Sequence, residues 1–205
     1  MLRRCFNRLA SKTLRDGTVL EGTFAGTHLV DGTARFKDGR VFTGTFSSGT
    51  GQPLPKTRLL EDGDTYVGEF NSQWQRSGLG ASFLADGTTY EGFFEADELV
   101  NGIVTVPDPT GEIVFEGTLK DEQFVEGTLK QNNYVYEGEF QDNTPHGKGK
   151  LEYDSGAVHE GTFFKGKLHG DKCKMKLDSG FVYLGSFVHG AIQRGELRTA
   201  TFNYE

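Results

Sequence analysis

The sequence predicts an all-β protein: an elongated, single-layer antiparallel sheet of stacked β-hairpins, with a short helix at its start. Three observations carry this expectation. The 205 residues include 29 Gly, 17 Phe and 7 Tyr but 5 Pro. A five-residue motif, aromatic-x-Gly-x-Phe, recurs along the chain. A turn signal precedes each copy. Apolar residues make up 35% of the chain, below the roughly 45–50% of globular domains, a norm that counts Gly. The 12% aromatic content is nevertheless the reverse of a disordered composition. Many short strands joined by tight turns reconcile these values. No run of 18 apolar residues is present, so no membrane-spanning helix is expected. Two cysteines, Cys5 and Cys173, exclude a disulfide scaffold and a Cys-rich zinc module, and favour a reducing compartment.

The motif stands as Leu20-Glu21-Gly22-Thr23-Phe24, Phe42-Thr43-Gly44-Thr45-Phe46, Tyr66-Val67-Gly68-Glu69-Phe70 and Tyr90-Glu91-Gly92-Phe93-Phe94. It continues as Phe115-Glu116-Gly117-Thr118-Leu119, Tyr136-Glu137-Gly138-Glu139-Phe140, His159-Glu160-Gly161-Thr162-Phe163 and Tyr183-Leu184-Gly185-Ser186-Phe187. The central glycines step by 22, 24, 24, 25, 21, 23 and 24 residues, a repeat of eight copies. Turn pairs such as Asp16-Gly17, Asp38-Gly39, Asp62-Gly63, Asp86-Gly87 and Ser155-Gly156 stand five residues before the central Gly. Asn132-Asn133 holds the same place. Such pairs supply the positive φ of two-residue hairpins. A second strand, as in Gly149-Lys150-Leu151-Glu152-Tyr153, lies upstream of each turn. One repeat is therefore two strands, a tight turn and a longer loop. Sixteen strands at about 4.8 Å would extend roughly 75 Å. No helix is expected in the repeats, because no sustained 3.6-residue period occurs there.

Alternation places residues 90, 92 and 94 on one face, which reads aromatic, Gly, Phe through the copies. The opposite face reads mostly Glu, Thr or Ser. Glycine leaves a gap over which a ring can lie. Copies such as Tyr136-Glu137-Gly138-Glu139-Phe140, followed by His146-Gly147-Lys148-Gly149 and Ser155-Gly156, resemble MORN (membrane occupation and recognition nexus) repeats. The resemblance spans about residues 16–202. It implies β-hairpins stacked into a long, gently twisted, grooved sheet that acts as a non-catalytic scaffold or docking surface. Departures from the pattern mark sites for bends: Pro53 and Pro55, Pro107 and Pro109, the fifth copy without its His-Gly pair, and Asp171-Lys172-Cys173.

Charge is uneven. Residues 1–15 hold five bases and no acid, whereas residues 61–144 hold 18 acids against Arg76, Lys120 and Lys130. So acidic a body repels nucleic acid and anionic headgroups and favours basic or neutral partners. Residues 145–176 carry seven lysines against four acids. Among them Lys172, Lys174 and Lys176 form a basic stripe, read either as a docking stripe for an acidic partner or as a solvated sheet face. The half-exposed rings expected to form a partner groove are Tyr66, Phe70, Tyr90, Phe94, Tyr136, Phe140, Tyr183 and Phe187. His146, His169 and His189 each precede Gly at one loop position and read as turn residues. Repeats about 10 Å apart are too distant for two of them to share zinc. His159 and Cys173 read as packing residues. Neither a phosphate loop nor a recognised catalytic or metal motif is present.

The chain thus divides into a basic N-terminal segment, residues 1–15, and a repeat array, residues 16–205. Leu2, Phe6, Leu9 and Thr13 share one helical face, with Arg3, Arg4, Arg8, Lys12 and Arg15 supplying the charge. This segment reads as a mitochondrial targeting helix, a helix capping the first strand, or a membrane-surface helix. The expected function is a non-catalytic docking subunit of a larger mitochondrial assembly, such as a respiratory or ribosomal complex. The alternative is a self-associating cytoskeletal or membrane scaffold in the cytoplasm. No cofactor, metal or nucleic acid is expected. Membrane contact is confined to the N-terminal helix, and a homodimer is compatible with either reading.

Overall fold

The computed structural model describes residues 9–199. Among them every regular element is a strand, and all pairs are antiparallel, in an 18-stranded sheet. The first nine strands are β1 (Ala10–Thr13), β2 (Val19–Ala25), β3 (His28–Arg35), β4 (Val41–Thr45), β5 (Thr57–Glu61), β6 (Asp64–Phe70), β7 (Arg76–Phe83), β8 (Thr89–Glu95) and β9 (Glu98–Asp108). The others are β10 (Gly111–Lys120), β11 (Gln123–Gln131), β12 (Tyr134–Gln141), β13 (Thr144–Tyr153), β14 (Val158–Phe164), β15 (Lys167–Leu168), β16 (Gly170–Lys176), β17 (Val182–Val188) and β18 (Ala191–Arg198). The chain divides within β9 into two compact units, one ending at Val100 and one beginning at Asn101.

The count exceeds the expected sixteen for two local reasons. β15 and β16 are one return strand interrupted at His169, and β1 is an added strand. β1 corrects part of the N-terminal expectation. Ala10–Thr13 pairs antiparallel with β2, Lys12 opposite Leu20, so these four residues are not helical. The open edge of β2 offers unpaired N–H and C=O groups, and satisfying them outweighs a weak helical pattern. Arg3, Arg4 and Arg8 lie outside the described residues, as do residues 200–205.

The central glycines meet each other across the strands. In the first unit Gly22 faces Gly32, Gly32 faces Gly44, and Gly68, Gly80 and Gly92 form a second run. In the second unit Gly102, Gly117, Gly127, Gly138, Gly149 and Gly161 are in register, and Gly185 faces Gly195. Two positions break the ladder. Thr57 faces Gly68 and abuts Gly44, and Cys173 faces Gly185 and abuts Gly161. Both are buried. At Gly138 the reason for glycine is visible. Its φ of +155° is closed to other residues, and a Cβ there would stand 2.6 Å from Gly149 Cα and 2.7 Å from Tyr136 Oη.

Turns depart from the expected pattern in an informative way. Asp62-Gly63 and Asn132-Asn133 do form two-residue hairpins, Glu61 opposite Asp64 and Gln131 opposite Tyr134. Asp16-Gly17, Asp38-Gly39, Asp86-Gly87 and Ser155-Gly156 instead close three-residue loops, with Gly at positive φ. The Asp16 and Asp86 carboxylates accept the backbone N–H of Thr18 and Thr88, which lowers their pKa values. The longer loop expected at the other end of each hairpin is in several repeats a two-residue turn. Ala96-Asp97, Asp121-Glu122 and Asp142-Asn143 all have positive φ at both residues.

The prolines act differently at the two places: Pro53 and Pro55 lie in a loop, as the sequence suggests, whereas Pro107 leaves the pairing of its strand intact. Pro107 runs within β9 opposite Glu112, and Pro109 takes part in the following turn. Pro53 makes a lone bridge to Phe46 in the long β4–β5 connection. The seventh copy is irregular as anticipated, with a register shift between Gly170 and Cys173.

Gly138→Ala is expected to destabilise the protein by about 3 kcal/mol or more. Gly26→Ala, at a turn with φ +63° and nothing within 4 Å of an added Cβ, should cost about 1–2 kcal/mol. Urea midpoints of the two variants against the parent check the difference.

Candidate docking surfaces

The aromatic face forms as the alternation requires, but it is not an open groove. Of the eight rings expected to grip a partner, Tyr66, Phe94, Tyr136, Phe140, Tyr183 and Phe187 are buried, and Phe70 and Tyr90 are partly covered. The cause is local. In β12 a register shift between Gly138 and Phe140 turns the Glu139 carbonyl out of the ladder. Tyr136 lies across the bare Gly138–Gly149 pair and donates its hydroxyl hydrogen to that carbonyl at 2.9 Å. Tyr66 repeats the arrangement over Gly68 and Gly80, donating to the Glu69 carbonyl at 3.0 Å. Each Tyr is then closed over edge-on by Phe from its own and a later strand. Tyr66 meets Phe70 at 5.2 Å and Phe94 at 5.1 Å, and Tyr136 meets Phe140 and Phe163 at 5.1 Å. The rings satisfy one another and serve as the core of each unit.

Burial raises the pKa of both phenols, to about 12 for Tyr66. The folded state therefore holds the proton more tightly than the unfolded chain, whose Tyr titrates near 10. Stability from this source is complete below pH ~10 and is lost as pH rises toward 12.

The first unit has an opening among its aromatic residues. A cleft of about 400 Å³ is lined by Leu14, Leu29, Phe36, Phe46 and Trp74, with Lys12, Asp16, His28 and Thr50 among its polar margin. Trp74 is placed by a tight loop in which Asn71 Oδ1 accepts the N–H groups of Gln73 at 2.9 Å and Gln75 at 3.1 Å. It takes a positive φ of 64°, costly for a bulky residue, and packs on Phe36 and Phe42 at 5.1 and 4.9 Å. The repeat pattern gave no warning of this cleft, because Leu14, Phe36, Phe46 and Trp74 come to it from loops of different copies and join Leu29 of β3. The lone Trp within a loop was the available signal.

The opposite face is polar in the second unit. Thr128, Glu137, Lys150, Glu160 and Lys174 are successive cross-strand neighbours. Lys174 pairs with Glu160 at 3.4 Å, and Lys150 with Glu152. Lys172, Lys174 and Lys176 are all exposed there. At least Lys174 belongs to an alternating charge ladder, which favours the solvated-face reading of the stripe. In the first unit the same face departs from Glu, Thr and Ser. Leu60, Val67, Leu79, Ala81, Phe83 and Phe93 point outward from β5 to β8.

His169 and His189 are closer than repeat spacing suggested, with ring centroids 5.0 Å apart, because both loops turn toward Phe164. His146 also contacts Phe164, at 5.1 Å. No group of three or more His, Cys, Asp or Glu suited to a metal occurs among the described residues. His159 packs against Tyr153 at 5.3 Å, and burial lowers its pKa. Cys173 is a buried free thiol. Lys12 is exposed on β1, its Nζ 3.4 Å from the Thr27 carbonyl, and Arg15 is exposed in the following turn.

Two outcomes follow from burial of the rings. Tyr136→Ala with Phe140→Ala should unfold the second unit rather than empty a groove, since each large-to-small change costs about 3–5 kcal/mol. Loss of a cooperative thermal transition checks this. Tyr66→Phe should lose about 1 kcal/mol at pH 7. It should also flatten the decline in stability between pH 10 and 12, measured by urea melts of variant and parent.

Comparison with known proteins gives the following. The MORN repeat family model matches residues 136–158 and 159–170, from β12 to the start of β16. Among solved structures, the TCP domain of SAS-4 (dCPAP) of Drosophila melanogaster, in complex with a proline-rich motif of Ana2 (dSTIL), is similar at a TM-score of 0.41 and 14% identity. That alignment covers 93% of this chain and 89% of the other. No curated protein matches. Residues 136–170 thus carry the MORN repeat signature, and they include the Gly138–Gly149–Gly161 ladder and Tyr136.

Proposed function

We propose that the protein is a non-catalytic docking subunit, built from eight MORN-like hairpin repeats, that holds partner proteins within a larger assembly. The observation that carries this reading is the apolar cleft beside Trp74. Six of the eight motif rings expected to grip a partner are buried, whereas this recess is open to a bulky apolar side chain from outside. Its margin of Lys12, Asp16 and His28 offers both signs of charge and hydrogen-bonding groups to orient the chain that brings it. The MORN match supports the scaffold class. The basic, acid-free composition of residues 1–15 supports a mitochondrial setting for the assembly.

The test fills the cleft without removing its walls. Thr50 is exposed at the margin, and Thr50→Trp places a ring over the opening. After mild lysis the parent chain is expected to co-migrate with organelle proteins at a mass far above its own 22.6 kDa. Thr50→Trp should retain its melting temperature and lose at least tenfold of that association. A parent chain that migrates alone, or a variant that assembles normally, would overturn the proposal.

A further inference from the structure

We infer that the outward face of β5–β8 is a second docking site, and that its occupant is a basic amphipathic helix of a partner protein. The inference rests on the docking reading above but on different residues. Leu79 and Phe93 face each other across β7 and β8 and are 64% and 43% exposed. Phe83 and Leu60, each 45% exposed, flank Thr65 in the next row. Val67 and Ala81 join the two rows. Four adjacent strands thus present one apolar patch on the side where the repeat elsewhere carries Glu, Thr or Lys.

The surroundings select the occupant. Residues 57–98 contain nine acids against two bases: Arg58, exposed at the β5 end of the patch opposite Val67, and Arg76, held by Asp97 at 3.4 Å. Glu69, Glu91 and Glu95 are exposed beside the patch on the same face. An acidic margin around an apolar centre repels anionic lipid. It also repels a second copy, which would bring the same carboxylates into opposition. Lys or Arg on the occupant removes both penalties. Because the site is a sheet face and not an edge, it offers side chains and no backbone groups. The occupant must satisfy its own backbone hydrogen bonds, and a helix does so. Rows about 4.8 Å apart accept apolar side chains placed at i, i+3, i+4 and i+7.

The probe is a dye-labelled 15-residue amphipathic Leu/Lys peptide, titrated by fluorescence anisotropy against the full chain, with a Leu/Glu peptide of equal length as comparison. Binding of the Leu/Lys peptide is expected, and binding of the Leu/Glu peptide at least tenfold weaker. Leu79→Thr with Phe93→Thr, the second giving position 93 the Thr that follows the central Gly in several copies, should weaken Leu/Lys binding at least tenfold at unchanged melting temperature. Glu69→Lys with Glu91→Lys, which leaves the apolar residues in place, should do the same. Equal binding of both peptides, indifference to both variant pairs, or a chain dimer that the Thr pair dissociates would overturn the inference. The Thr pair is also taken through the native-complex measurement. An intact complex with indifferent peptide binding removes this site and leaves the Trp74 cleft standing. A parent chain that migrates alone yet binds Leu/Lys peptide through Leu79 and Phe93 does the reverse.

Discussion

The close approach of glycine to glycine across neighbouring strands is the constraint on which the remaining structure depends. Where two strands meet without side chains, as at Gly138 and Gly149, a shallow trough is left on the inner face. Tyr136 lies in that trough and ties its hydroxyl to the Glu139 carbonyl, which the adjacent bulge has released from the ladder. Phe163 of the following repeat then closes on the tyrosine. Steric absence, ring packing and one hydrogen bond are therefore coupled, and no one of them forms the core alone. A single sheet layer has no second layer to cover its apolar face. Here the rings within each unit cover each other instead.

This coupling explains which parts of the fold were legible in the sequence. The period near 23 residues, the strand alternation and the face carrying aromatic, Gly and Phe are local properties, and the structure repeats them. Burial of Tyr136 and Phe140 is not local. It depends on the bulge after Gly138, which has no letter of its own in the motif, and on Phe163, a motif residue that reaches Tyr136 only through the pairing of β12, β13 and β14. The turns were half legible. Asp-Gly pairs were visible as turns, but the tight reversals at Ala96-Asp97 and Asp121-Glu122 each pair Asp with a residue, Ala or Glu, that has no preference for positive φ. β1 was hidden for another reason. Ala-Ser-Lys-Thr has little strand character, and it is extended because the edge of β2 is there to be paired.

The docking surfaces were less legible still. Leu79 and Phe93 are 14 positions apart, and each reads as an isolated lapse from the pattern. Register makes them direct neighbours. The cleft gathers Leu14, Phe46 and Trp74 from three connections, and only the folded first unit brings them together. The two units also spend their outward faces differently. In the second, Glu137, Lys150, Glu160 and Lys174 alternate in charge and partly neutralise one another. In the first, an apolar centre stands among acids. Surfaces built from one repeat have thus acquired distinct chemistry through a few outward positions that the core does not constrain.

Thr57 and Cys173 add a consequence for how such a chain can change. Each is tolerated because the residues beside it on both neighbouring strands, Gly44 and Gly68 for Thr57, Gly161 and Gly185 for Cys173, carry no side chain. Thr57 adds a hydroxyl donated to the Thr45 carbonyl at 2.8 Å. A strand bearing such a residue is compatible with glycine on both neighbouring strands but not with a second such strand directly beside it. All eight motif strands keep glycine at this level, so the strands between them are where a side chain can enter the ladder, and a second one on an adjoining motif strand would have no room.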